Sequence, residues 1–509
     1  MLGKITSYVA TLSLAIGACA ATALSQATDQ KPGPETPVGR GAFANFSKPL
    51  YNIEDGYLKW PLPPALQKYE AIDPKQLNQY LTQFMDFAYH YRDQGHQWWG
   101  RIQGTSADAE NAQWMVDQFT KMGVPDVKNI PVDLPPQWMA KSFSIDASGN
   151  GKTMHLDSAY PAVGSPATPA QGLDLEVTYV GFGTEADYHH MDVRGKAVLM
   201  FSMPLPSQPH GTANMEGALQ RATAKGAAVV IQVIMLPGNT KTQLMGSGGV
   251  PAFSMGMVEG YALRDLIGEC SADRPVHLNI KLDAGMVPNL KTSIVMATLP
   301  GATDEKIYIL GHRDSWFQGA EDDASGMATM LGLAQYYVKV PQKDRRRTII
   351  FMGAPGHHNN TRAPWGAQYL LDHKEVPDKT ALVMNAEHTA AIGFHQQGET
   401  IVLTNEPDAS SWSVNGSPKL ENIVIKALRD FGVPTYAIPL ADAPGEISTL
   451  FKVAPAFQLM NLTGPYFHSD HDDSVPDVGL AQATRAYAHI IDEVNKLSIA
   501  ALQAPPATR

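Results

Sequence analysis

The chain has 509 residues, too many for one compact core, so two or more domains are expected. At 44% hydrophobic and 17% charged it has a globular composition, and its net charge of −11 argues against a nucleic-acid partner. With only two cysteines, Cys19 and Cys270, disulfides do not hold the fold together.

Residues 1–27 read as an export signal: Lys4, an apolar run from Val9 to Ala18 too short to cross a bilayer, then small residues to Ala27. A periplasmic or secreted protein is expected. Ile16 to Cys19 also resembles a lipoprotein box, and only a lipidated Cys19 would attach the chain to a membrane. Residues 28–64, rich in Pro and Gly, read as an extended arm. Residues 65–171 are expected to form the first part of the same domain as residues 286–500. Pro74 to Tyr91 predicts a helix with Leu77, Leu81, Phe84 and Ala88 on one face, and Ala107 to Met122 predicts a second. Between them, His96, Trp98 and Trp99 read as packing around a turn.

Residues 172–285 form a β-rich block with its own hydrophobic pattern, expected to be an inserted domain. His189 and His190 within it read as a solvated pair. From 286 to 500 strands and helices alternate. Strands are expected at Ser293–Leu299, Ile307–Leu310, Thr348–Met352, Ala381–Asn385 and Ala456–Leu462. Helices are expected at Met327–Tyr337, Trp365–His373, Leu420–Phe431 and Val478–Leu497. The fold class is therefore α/β: a mostly parallel sheet with helices on both faces, plus the inserted β-rich domain. Residues 501–509 are a tail.

Polar residues collect after these strands. His312 and Asp314 end one, and Asp322 and Asp323 follow before a helix. His357 and His358 follow the next strand, Glu387 and His388 the one after, and His468 lies in the last long connection. The carboxyl edge of such a sheet is where chemistry is placed. Imidazole and carboxylate suit a zinc-type ion, or two ions sharing one carboxylate, which points to hydrolysis of an amide. Asp323 taken alone reads as a helix cap.

The segments His312-Arg-Asp-Ser-Trp, Gly319-Ala-Glu-Asp-Asp-Ala-Ser-Gly, Asn385-Ala-Glu387 and Tyr466-Phe-His468-Ser, in this order, resemble the co-catalytic zinc exopeptidases of the glutamate carboxypeptidase II, transferrin receptor and bacterial aminopeptidase group. The block at 172–285 resembles that family's protease-associated insert. The resemblance implies that His312 and Glu387 serve one metal, His468 the other, and that Asp322 bridges them while Asp314 orients His312. It implies a peptide or small amide substrate and a homodimer. It breaks where the family presents two adjacent glutamates, a general base and a ligand. Here His357 and His358 stand instead, with His358 able to ligate and His357 left at the position of the base. Glu321 and Glu446 are alternative bases. Arg313, Trp316 and Tyr466 are candidates for substrate contact, and His388, His395 and His471 read as structural. The leading reading is an exported metal-dependent exopeptidase or amidase. The alternatives are a non-peptidase relative acting as a binding protein, or a metal-dependent cyclase or lyase.

Overall fold

The computed structural model describes residues 61–503, apart from 205–211, 214–216, 245, 359–365, 375–378, 398–399 and 462–463. The expected export signal with Cys19, the arm up to residue 60, Trp365 and residues 504–509 lie outside the described residues.

A seven-stranded sheet carries the α/β part. Its spatial order is Asp126–Asp133, Lys291–Leu299, Thr348–Ala354, Lys306–His312, Thr380–Ala386, Ala456–Met460, Ser411–Asn415. The four strands from Thr348–Ala354 to Ala456–Met460 run parallel, and the three outer ones are antiparallel to their neighbours. The parallel strands are apolar throughout because both faces are covered. Ile307 and Ile309 pack on one side with the helices Pro74–Asp93, Ser106–Met122, Ser325–Tyr337 and Asp477–Val494. Tyr308 and Leu310 pack on the other with Leu370, Ile447 and Phe451. The expected strands and helices are all present, with ends displaced by a few residues. The edge strand Ser411–Asn415 and the hairpin Ile392–Gln397/Thr400–Pro407 are additional. They are antiparallel and partly exposed, so they lack the continuous apolar run that marks the buried strands.

The helices start where capping chemistry allows. The Asp73 carboxylate accepts from the Lys75 N–H at 3.1 Å, and Pro74 occupies the first turn. Leu77, Leu81, Phe84 and Ala88 are all buried, as the periodicity predicts. The helix Ser325–Tyr337 is buried on nearly every side. It can lie so close to the sheet because Gly326 has no side chain: a Cβ there would fall 2.0 Å from the Ala386 carbonyl oxygen. Gly326→Ala is accordingly expected to cost about 1–3 kcal/mol or more, through forced displacement of backbone rather than of a flexible side chain. Thermal melting should show it, and an unchanged midpoint would contradict the tight crossing.

A second, eight-stranded sheet is built from strands between Gln137 and Val287. It takes in Gln137–Gly149 and Tyr160–Pro161 as well as the strands after residue 172. One of its loops reaches the chemistry. The Gln243 N–H donates to the His468 carbonyl at 2.9 Å, and the Lys241 N–H to Asp470 Oδ1 at 2.9 Å. Trp98 Nε1 in turn donates to Gln243 Oε1 at 2.7 Å, and His96 stacks on Tyr91 at 3.8 Å. That turn packs, as its residues indicate.

Candidate metal centre

Parallel strands end on the same edge, so four separate connections deliver side chains to one place. His312 is the last residue of its strand, His357 and His358 follow Thr348–Ala354, and Glu387 and His388 follow Thr380–Ala386. His468 comes from the loop before Asp477–Val494. Four of these imidazoles, His312, His358, His388 and His468, meet Asp322, in the turn before the buried helix.

Asp322 is surrounded symmetrically. Its Oδ1 lies 3.1 Å from His312 Nε2 and 3.1 Å from His388 Nε2. Its Oδ2 lies 2.8 Å from His358 Nε2 and 2.9 Å from His468 Nε2. His388 and His468 are both in the left-handed region, at φ 49° and 57°. Non-glycine residues seldom adopt it, and where they do they often aim a functional side chain. Trp316 is buried and edge-on to His358 and His468, with centroids 4.7 Å from each.

Other acids hold this arrangement by its backbone. Asp323 Oδ1 accepts from the N–H groups of Gly326 (3.0 Å) and His388 (3.1 Å), and Oδ2 from that of His312 (3.3 Å). It caps the helix, as expected, and also ties two strand ends to it. Asp472 accepts from the N–H groups of Glu321 at 2.8 Å and Asp322 at 3.2 Å. Asp314 is buried beside the imidazoles, but its carboxylate serves the His358 side more than His312. It accepts from Gly356 N–H at 3.1 Å and His358 N–H at 2.9 Å, and faces His358 Nδ1 at 3.3 Å. His312 is oriented by the Asp314 carbonyl instead, to which Nδ1 donates at 3.0 Å, leaving Nε2 directed at Asp322.

His357 stacks on His312 with centroids 4.3 Å apart and rings within 7° of parallel. Its Nδ1 meets Glu446 Oε1 at 3.2 Å, and its Nε2 lies 3.9 Å from Glu387 Oε1. Burial disfavours a proton on this ring, but the hydrogen bond to Glu446 and the charges of Glu387 and Glu446 outweigh it and raise its pKa to about 10. Burial likewise would raise the Asp322 carboxyl, yet His358 and His388 hold it well below the usual carboxylate range.

Whether these residues fit a metal can be judged from the chain itself. His312 Nε2 and Asp322 Oδ1 are buried without a hydrogen bond, although buried polar atoms are normally paired. Among the described residues, every group of three or more metal-type side chains with ligand atoms within 4.8 Å of one another lies here: His312, Asp322 and His388; Asp322, His358 and His468; His312, Asp314 and His358; and His312, His357 and Glu387. The donor set fits one or two divalent ions of the zinc type.

Some expected site residues lie elsewhere. Arg313 does not face the cluster: its guanidinium is buried against Asp108, Asn111, Thr292 and the Ser293 carbonyl. Trp316, 2% exposed, is a wall behind the imidazoles rather than a surface for substrate. Tyr466 is half-buried and stacks on His471 with centroids 5.2 Å apart. His395 lies in the added hairpin. His388, read as structural from the sequence, is in the middle of the site. Its place directly after a buried strand, beside Glu387, is the signal that could have found it.

The strand ends of this α/β sheet thus gather imidazoles around one buried aspartate, a donor set suited to a metal. Comparison with known proteins agrees with the resemblance read from the motifs. Residues 294–419 match Peptidase family M28. The aminopeptidase NAALADL1 of Mus musculus is 26% identical over 171 residues, 31% of this chain and 20% of that protein, so the match spans about a fifth of the relative's length. Among solved structures, a Peptidase M28 precursor from Shewanella amazonensis SB2B superposes with a TM-score of 0.64 at 19% identity, over 85% of this chain and 99% of that one. BSAP, a zinc aminopeptidase from Bacillus subtilis, gives 0.58 at 18% identity, over 85% and 98%. The α/β fold is that of these proteins.

Proposed function

We propose that the chain is a metal-dependent exopeptidase of the aminopeptidase type, hydrolysing a terminal peptide bond or a small amide, with zinc as its metal. The observation that carries this is the buried Asp322 carboxylate, with two imidazoles on each oxygen, at the carboxyl edge of the sheet. The relatives that share the fold and the family match support it. When bound there, a divalent ion supplies Lewis acidity, polarising a carbonyl oxygen and acidifying water. The amino-terminal segment supports export, and the eight-stranded sheet between Gln137 and Val287, which contains most of the block at 172–285, supports the reading of a protease-associated insert. Among the described residues no helix is long and apolar enough to cross a membrane.

His357 handles the proton in this reading, and Glu446 orients it. The two form a carboxylate–imidazole pair, an arrangement that sets the tautomer of a general base. The surrounding acids favour the protonated ring, and positive charge held at Asp322 works against them, bringing the ring toward the range in which a base operates. kcat/KM should therefore rise with pH along one limb that reports His357. Glu446 raises the His357 pKa, so Glu446→Gln is expected to move that limb to lower pH by about one unit or more. His357→Gln should lower the rate by about 10²–10⁴-fold. The assay is a panel of aminoacyl and acyl-amino-acid amides with added zinc, manganese or cobalt. A limb that stays in place in Glu446→Gln would remove His357 from the proton transfer. Metal-loaded protein inert toward the whole panel would turn the reading to a non-peptidase relative.

A further inference from the structure

We propose that His388, rather than Glu387, completes the site on the His312 side, so that the ions are held by four imidazoles and the single carboxylate of Asp322. This rests on the metal reading above and specifies its ligands.

Two independent sets of contacts separate the adjacent residues. His388 Nε2 is 3.1 Å from Asp322 Oδ1, the oxygen that His312 also approaches at 3.1 Å. Its backbone is fixed in that direction. The φ of 49° turns the chain, the His388 N–H donates to Asp323 Oδ1 at 3.1 Å, and its carbonyl accepts from Asn461 N–H at 3.2 Å. Behind the ring, Glu321 Oε1 faces Nδ1 at 3.7 Å, the side on which a carboxylate orients a ligating histidine.

One oxygen of Glu387 is committed elsewhere, and the other lies farther from His312 than His388 lies from Asp322. Glu387 Oε2 accepts from Asn385 Nδ2 at 2.6 Å and from the Glu446 N–H at 3.0 Å. Gly445 covers it so closely that a Cβ there would lie 2.3 Å from Oε2. Its nearest approach to His312 Nε2 is 3.9 Å, through Oε1. Glu387 thus anchors the turn that carries Glu446. With His358 also replacing a carboxylate, nitrogen dominates both halves of the site. Such a donor set favours zinc, cobalt, nickel and copper over manganese, magnesium and calcium, which prefer oxygen.

The test is cobalt binding by metal-stripped full-length protein, followed by calorimetry and elemental analysis, with circular dichroism confirming that each variant is folded. Wild type is expected to take up two ions and Glu387→Gln to retain both. His388→Ala should bind one. His388→Cys covers the case of an unfolded alanine variant: it should bind both ions and acquire an intense near-ultraviolet thiolate-to-cobalt band that wild type, with its existing Cys19 and Cys270, does not show. Loss of an ion in Glu387→Gln with both kept in His388→Ala overturns the assignment. So does a His388→Cys protein that binds two ions without the band. Wild type that binds no cobalt at all overturns the metal reading itself.

Discussion

Asp322→Asn protein is expected to fold, to bind no metal and to lose hydrolytic activity by on the order of 10³-fold or more. Both oxygens of this side chain are engaged, each with two imidazoles, so no single histidine substitution can match it. An amide in its place keeps the shape and removes the one charge common to both halves. The effect on the metal-free fold has the opposite emphasis. The Asp322 pKa is depressed, so its contribution to stability is present above the unfolded value, near pH 4, and is lost as pH falls through the folded value. At neutral pH the variant therefore loses some stability, but His358 and His388 can shed their protons once the carboxylate is gone, which limits the loss. Elemental analysis, an amide-hydrolysis assay and melting of the stripped proteins together check this. Metal retained at wild-type stoichiometry would show that Asp322 is not the shared ligand.

Arg313→Leu should act in the other direction: it damages the fold while leaving the metal ligands in place. The guanidinium is completely buried. It is paired with Asp108, whose carbonyl it also reaches at 2.8 Å, and bonded to Asn111 Oδ1 at 2.8 Å, Thr292 Oγ1 at 3.1 Å and the Ser293 carbonyl at 2.5 Å. It thereby joins the strand end that carries His312 to the helix Ser106–Met122 and to the strand Lys291–Leu299, two places away in the sheet. Removing one member of a buried charge pair leaves the other uncompensated, which costs about 3–5 kcal/mol. Urea or thermal unfolding measures this. The fraction that remains folded should keep its KM, since Arg313 faces no substrate. A raised KM at unchanged stability would return Arg313 to the role its position in the sequence implied.

These two residues show how far sequence reasoning reached. Both are charged residues in the stretch after Leu310, Arg313 just past the strand's end and Asp322 in the turn before the next helix. Asp322 was legible because its partners come from the same repeated pattern: an apolar run, then a polar residue. Arg313 was not, because its partner, Asp108, is remote in the chain and lies in a helix whose pattern announces only an apolar face. Burial of a charge depends on what packs over it, and no local pattern records that. Trp316 was misassigned for the same reason, being large, aromatic and near the ligands, yet enclosed.

The pair Glu387 and His388 marks the finer limit. The family pattern selects Glu387, since it occupies the matching position and is chemically apt. Which of two neighbours faces the cluster is settled by one backbone angle, the φ of 49° at His388, and by competing donors from Asn385 and Glu446 for the carboxylate. The substitution of His357 and His358 for two glutamates was visible in the chain, but the partnership of His357 with Glu446 was not.

The positions of the buried strands, the edge at which chemistry collects and the pairing of His312 with Asp322 as metal candidates follow from hydrophobic runs and the residues just beyond them, while the resemblance to a known family singled out His358 and His468. These are short-range features, written contiguously in the chain. The pairing of each imidazole with one oxygen of Asp322, the choice between Glu387 and His388, and the removal of Arg313 from the site belong to the tertiary structure. They depend on distances between connections far apart in sequence, and on which polar groups the packed sheet and helices leave without another partner.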